Sequence, residues 1–363
     1  MTNILIEGYS SIPSYELTVK DFICYSTVLP INVRTKLSRN ITNKDILWSD
    51  ILVCVRGDNP LSALLAKKAK KCGRKIILVL DDDLIEFHSL QNSFIDKISR
   101  GSLENVLSMA SSIITTSAYL GEKYKKSYGI KYVIADTIVE ETEIKHYDHN
   151  DDRVKIIHAA GTGHNVFFTS LISPILHDLY DKYKDKVSLT IIGPNVDISS
   201  VEFPAAKYES MSFDEYQNFM RSNVFDIGLA PLLDCELTRS KYYNKYLEYT
   251  RNDICGIYSN VLPYSLVVRD GHNGFLADNT KESWFNCICR AIDNKLLRQK
   301  LVHNAQYQVT TDFCLHNITY TLLRNIPFLS TYKAEVCNIH HNSYMYLRFL
   351  SFEFFRRLLS YIQ

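Results

Sequence analysis

The chain of 363 residues contains no run of 18 apolar residues, so no segment reads as a membrane-spanning helix. It also lacks an excess charge of either sign: 41 Lys and Arg stand against 40 Asp and Glu, a formal +1. That balance excludes a surface built wholly to coat a polyanion, so no nucleic-acid partner is expected. There is no Cys-x-x-Cys pair, and the nine cysteines are scattered and odd in number. A disulfide framework is therefore excluded in favour of reduced, buried thiols in a cytosolic protein. Low-complexity segments and short-period repeats are absent too. A Gly-x-Gly turn occurs at Gly161 and Gly163, but no third glycine completes a dinucleotide fingerprint, and no Gly-Lys-Ser or Gly-Lys-Thr loop occurs. Redox cofactors and NTP hydrolysis lose ground accordingly. The first eight residues, MTNILIEG, carry Glu7 too early for a secretory signal and read as a first buried strand.

What is present is core-forming material. Hydrophobic residues make up 46%, with 24 Tyr and 17 Phe, enough for two cores, and the length favours two domains. Short β-branched runs alternate with longer helical patterns, the signature of parallel sheets crossed by helices. Strands are expected over 3–6, 51–55, 75–80, 112–115 and 132–135, with helices over 61–71 and 118–128, the latter stopped by Gly129. Residues 138–152, IVEETEIKHYDHNDD, are acidic and aperiodic and read as a solvated connector. His146, Asp148 and His149 in it form a weak metal pattern, as do Cys337, His340 and His341 further on. A second series then opens, with strands over 154–159, 188–192, 226–230, 254–258 and 274–277. Its helices are expected over 167–183, 213–222, 241–250, 281–294, 296–310 and 317–329. Two Rossmann-like halves joined by one linker form a clamp whose cleft is the natural ligand site. The last stretch, YMYLRFLSFEFFRRLLSYIQ, segregates Glu353, Arg356 and Arg357 from its apolar side chains. It reads either as a membrane-surface helix or as a helix packing across both domains.

Three places carry chemistry. At KIIHAAGTGHN a strand runs into Gly161, Thr162, Gly163 and His164 just before a helix, where close backbone approach and open N–H groups favour an anion. A tight turn without a ligand explains the same residues. Further on, Arg239, Ser240 and Lys241 precede Lys245 and Glu248. On a helix over 241–250, Lys241, Lys245 and Glu248 share one face, so the cations suit a diphosphate and the carboxylate a pair of sugar hydroxyls. An exposed salt-bridged face, Lys245 with Glu248, is the plainer alternative. In the first half, Asp81, Asp82 and Asp83 end a strand; they suit a general base, Asp82 foremost, or a helix cap.

Residues 154–315 resemble the nucleotide-sugar-binding domain of GT-B glycosyltransferases, nearest to the glycosyl transferases group 1 family of bacterial surface-polysaccharide enzymes. The likeness rests on a series in order: IIHAAGTGHN, VSLTIIGPN, FDIGLAPL, NKYLEY and ICGIYSNVLPYSLVVRDGHNGFLADN. In the first half VLDDDL is the most similar piece. The resemblance implies an α/β GT-B fold of two Rossmann-like domains facing across a cleft. The domains are expected at 1–150 (acceptor), 151–320 (nucleotide sugar) and 321–363 (closing helices). It further implies that Gly161, Thr162, Gly163 and His164 lie against the donor's phosphates or sugar, and that Lys245 with Arg239 or Lys241 neutralises the diphosphate. Glu248 would hold the ribose hydroxyls, and Gly193, Pro194 and Asn195 would line the base pocket. No metal or other cofactor is then required. Ser240 stands where retaining members often carry a second Glu, which leaves stereochemistry open.

The activity expected is transfer of a sugar from a nucleotide-diphosphate sugar to a glycan or lipid-linked acceptor. A catalytically silent GT-B scaffold is the principal alternative and a nucleotide-sugar epimerase a more distant one. The charge is also zoned. Lys67, Lys68, Lys70, Lys71, Arg74 and Lys75 form a basic stretch, whereas residues 136–152 hold seven acids against Lys145 alone. A cytoplasmic protein in peripheral contact with an anionic membrane fits that zoning.

Overall fold

The computed structural model describes residues 1–148, 152–160, 165–193, 201–335 and 337. Its packing divides the chain into two compact units. The first comprises Met1–Ile138, Ser240–Tyr242 and the chain from Leu315; the second comprises Val139–Arg239 and Tyr243–Cys314. The chain thus enters the second unit at Val139 rather than 151, and it returns at Leu315 rather than 321.

The first unit holds six parallel strands: β1 (Thr2–Gly8), β2 (Ile31–Leu37), β3 (Ile51–Val55), β4 (Lys75–Leu80), β5 (Ser112–Thr115) and β6 (Tyr132–Ile134). Their order in the sheet is β2-β1-β3-β4-β5-β6. Alternate side chains serve two different cores. Ile4 and Ile6 of β1 join Ile51 and Val53 of β3 in one cluster, while Leu5, Leu52 and Cys54 join the other. That alternation is the period of two in a strand covered on both faces. The helix Pro60–Lys71 is capped by Asn59, whose side chain accepts from two backbone N–H groups. The helix Ala118–Tyr128 ends at Gly129 in the left-handed conformation (φ 67), as its sequence predicts.

The second unit repeats the plan with β7 (Val154–Ala159), β8 (Val187–Ile192), β9 (Ala205–Tyr208), β10 (Ile227–Ala230), β11 (Cys255–Ser259) and β12 (Phe275–Ala277). The order is β12-β11-β10-β7-β8-β9, again all parallel. Phe168, Trp284 and Ile288 pack with Ile156 and Leu229 in its core.

Several expectations change. β2 and β9 escaped the sequence reading because each forms a sheet edge with mostly part-exposed or exposed residues, so neither shows an apolar run. The helix expected over 167–183 is broken into Asn165–Leu171 and Leu176–Tyr183, with Pro174 in the 3₁₀ turn between them. The acidic connector keeps Glu140, Glu141, Thr142, His146 and Asp148 exposed, as expected, but it is also bonded to the second unit. Val139 N donates to Phe313 O at 3.0 Å and Lys145 N to Arg251 O at 2.7 Å. Glu143 pairs with Arg251 at 3.4 Å, so this stretch is fastened to the second unit. In the helix Leu315–Asn325, Ile318 and Leu322 enter the first unit's core beside Ile4 and Phe22. Beyond it Lys333 reaches Asp50 at 2.7 Å. The amphipathic stretch over 344–363 lies outside the described residues.

Candidate functional site

The motif NKYLEY forms the helix Asn244–Arg251. Tyr246, Leu247, Tyr249 and Thr250 are its buried face, which leaves Lys245 and Glu248 half-buried on the other side. The helix is fixed by its tyrosines. Tyr249 donates to Leu229 O in β10 at 3.0 Å, and Tyr246 donates to Gln308 at 2.8 Å. Tyr249 lies so close to β10 that a Cβ on Gly228 would come within 2.5 Å of its ring, so only glycine fits there.

On the open face Lys245 Nζ lies 2.7 Å from Glu248 Oε1 and 3.0 Å from the Tyr216 hydroxyl. The Tyr216 hydroxyl itself donates to the same Glu248 oxygen. The Lys245 ammonium also sits over the Tyr216 ring, 4.9 Å from its centroid. Both donors converge on Oε1, so Glu248 Oε2 has no hydrogen-bond partner among the described residues. Burial, and then the Glu248 charge, push the Tyr216 hydroxyl well above its ordinary range, so it remains a donor at neutral pH. A lone tyrosine in FDEYQNF carries no signal in sequence; only the fold brings it across from the helix Phe213–Ser222.

The other cations do not join Lys245. Arg239 ends the short helix Glu236–Arg239 and grips Asp234 with two bonds of 2.7 and 2.9 Å. Ser240 is fully buried. Lys241 is not in a helical first turn, because the helix starts at Asn244 and residues Ser240–Tyr242 pack with the first unit. Buried Tyr242 anchors that stretch by accepting from Thr137 N at 3.2 Å. Lys241, Lys245 and Glu248 therefore do not share one helical face. Gly193 closes β8 with φ 127, a conformation that favours glycine, and donates to Tyr208 O at 3.0 Å. Gly161, Thr162, Gly163, His164, Pro194 and Asn195 lie outside the described residues.

In the first unit the three aspartates after β4 have three different fates. Asp83 is fully buried; it caps the helix Leu84–Gln91 and meets Lys123 at 2.7 Å. Asp81 accepts from the Ser14 hydroxyl at 2.5 Å, and its other oxygen is buried without a hydrogen-bond partner among the described residues. Burial, then neighbouring Asp82, raises its carboxyl pKa. Asp82 is the most open of the three, with Lys241 at 3.2 Å and Arg56 at 4.0 Å. No group of three or more His, Cys, Asp or Glu suited to a metal occurs among the described residues. His149, His340 and His341 fall outside them.

No family model matches the sequence, and no curated protein does either. Solved structures do. Anabaena HepE, crystallised in complex with UDP and glucose, matches 91% of this chain and 100% of its own at TM-score 0.64 and 12% identity. A glycosyltransferase from Rickettsia africae matches 89% of this chain and 97% of its own at TM-score 0.60 and 13% identity. The lipopolysaccharide outer core galactosyltransferase WaaB matches 90% and 99% at TM-score 0.55 and 14% identity. The fold is GT-B. Within this GT-B chain Lys245 and Glu248 follow β10, beyond the carboxyl end of a central parallel strand, where open α/β sheets bind ligands.

Proposed function

We propose that this protein is a glycosyltransferase that moves a sugar from a nucleotide-diphosphate sugar to a glycan or lipid-linked acceptor in surface-polysaccharide synthesis. The observation that carries the reading is the Lys245–Glu248–Tyr216 cluster, with an acceptor oxygen left open on a carboxylate that two other groups already orient. Glu248 Oε2 suits a pair of ribose hydroxyls, and the Lys245 ammonium suits the diphosphate on which charge grows as the glycosidic bond breaks. No metal takes part in this reading; Lys245 and backbone N–H groups meet the leaving group. Asp82 is assigned to the acceptor side. HepE was crystallised with UDP-glucose, which makes a uridine nucleotide the first donor to test.

The test is calorimetric titration with UDP and GDP, followed by donor turnover. Lys245→Ala and Glu248→Ala are expected to abolish turnover and weaken nucleotide binding while the fold persists. Unchanged nucleotide affinity in both variants removes the site assignment, and no heat with either nucleotide favours a silent scaffold.

A peripheral contact with an anionic membrane, on the cytoplasmic side, belongs to the same proposal. No helix among the described residues is long and apolar enough to cross a membrane. Lys67, Lys70 and Lys71 are exposed near the end of the helix Pro60–Lys71. Arg74 does not add to this patch, being buried and bonded to Ile46 O and Ser49 O at 3.1 and 3.0 Å. Cosedimentation with anionic vesicles that high salt abolishes supports the contact, and salt-independent or absent binding removes it.

A further inference from the structure

The last described residues of the chain lie along the amino edge of the first unit's sheet. Thr2 Oγ1 donates to Tyr332 O at 3.2 Å. Lys333 Nζ and Ala334 N donate to Asp50, the residue before β3, at 2.7 and 2.9 Å. The Tyr332 hydroxyl donates to Gly73 O. Arg74, just ahead of β4, ties the two stretches together, since its Nη1 donates to Glu335 O at 3.0 Å and also to Cys72 O. Cys72 caps the carboxyl end of the helix Pro60–Lys71, and Cys337 follows Glu335 by two positions. Their side chains meet: the Cys72 and Cys337 thiols share a hydrogen bond. We propose that this pair is a modification site, closing reversibly to a disulfide when a small disulfide oxidant is present.

The two thiols have different parts. Cys337 is partly exposed and Cys72 is buried, so a small oxidant reaches Cys337 first. Burial, then the Cys337 thiol, raises the Cys72 pKa to about 11, against a lowering by Arg74. A thiol held in that state is a poor entering nucleophile. Cys337 therefore enters and Cys72 resolves. The oxidant is a low-molecular-weight disulfide, with oxidised glutathione as its type. The Cys337 thiolate attacks one of its sulfurs, forming a mixed disulfide and releasing one glutathione thiolate, which takes up a proton. Cys72 then gives up its proton, and its thiolate attacks Cys337 Sγ and expels the second glutathione. In sum, two protein thiols are oxidised to one disulfide, and one glutathione disulfide is reduced to two thiols.

The backbone around both cysteines is already held by the bonds to Asp50, Gly73 and Arg74, so closure brings together side chains that are in contact beforehand. A single reversible pair also suits a reducing compartment, where disulfides are transient and redox-sensing rather than structural. Closure fastens the chain at Cys337 to the helix end that carries the exposed Lys70 and Lys71. Neither cysteine belongs to the donor assignment, so the pair is independent of it.

Oxidised glutathione added to the full chain tests it, read by thiol alkylation and by peptide mass spectrometry without reductant. The expected product joins the peptides of Cys72 and Cys337 with loss of two hydrogens, and dithiothreitol reverses it. Alkylation of Cys337 is expected to fall at least about tenfold on oxidation. In Cys72→Ser, Cys337 is expected to stop at the mixed disulfide with glutathione. In Cys337→Ser, Cys72 is expected to stay reduced. Cys235, which is exposed, is expected to take up glutathione in every case and shows that the oxidant was active. Melting curves establish that the variants are folded, and the product formed by the parent decides the matter without them. The proposal is overturned if Cys337 of the parent retains glutathione, if Cys72 or Cys337 joins another cysteine, or if both stay reduced while Cys235 is modified.

Discussion

In each unit a lysine–carboxylate pair of 2.7 Å lies beyond the carboxyl end of a parallel strand, Lys123–Asp83 in the first and Lys245–Glu248 in the second. They differ in what else the carboxylate does. Asp83 of the first unit has no exposed surface; one oxygen faces the Glu86 N–H and Tyr124, and the other faces Lys123. Glu248 of the second unit gathers Lys245 and Tyr216 on one oxygen and leaves the other open. A pair distance therefore says little about role. A carboxylate sealed from solvent against a helix cap and an ion pair holds a fold together, whereas an oriented one with an open oxygen is prepared to receive a ligand.

This contrast is open to attack at graded strengths. The largest effect is expected from Glu248→Ala or Lys245→Ala, with at least a hundredfold loss of donor turnover and little change in melting temperature. Asp83→Ala should do the reverse, costing about 2 kcal/mol of stability through the lost cap and buried bonds, read by urea unfolding. If Asp83→Ala spares stability, or Glu248→Ala unfolds the protein, the distinction collapses. Tyr216→Phe should weaken nucleotide binding about fivefold, since it removes one donor that orients Glu248. Titration of the variant with UDP measures this directly.

The smallest effect belongs to His88, which sits between Asp96 at 2.8 Å and Asp58 at 3.1 Å. Burial alone depresses an imidazole, but here the two carboxylates outweigh it and raise the pKa above the ordinary 6.5. The stabilisation is then fully present below pH 6.5 and is lost as pH rises through the higher folded value. Stability of the parent to urea should fall across that window, above pH 6.5, relative to His88→Gln. Parallel pH dependence of the two proteins removes the role given to His88.

How much was legible depended on where each element lies. The interior strand β3 is a continuous apolar run, and helix ends at Gly129 and Asn59 carry their own capping chemistry. β2 and β9 are sheet edges without that pattern. Lys245 and Glu248 were found because residues three apart on a helix are neighbours whatever surrounds them. Lys241 was misplaced because helix propensity does not register that Ser240 and Tyr242 are buried.

The sequence by itself determined the two alternating α/β series, most of the strands within them and the Lys-x-x-Glu pair. Those features arise from side-chain periodicity and from contacts between residues a few positions apart. Only the tertiary structure decided that Tyr216 completes the Glu248 cluster, that Lys241 faces Asp82 159 positions away, and that the Cys337 thiol meets that of Cys72. Such partners are separated by long stretches of chain. Their meeting is set by how layers pack on the sheets, which no local pattern encodes.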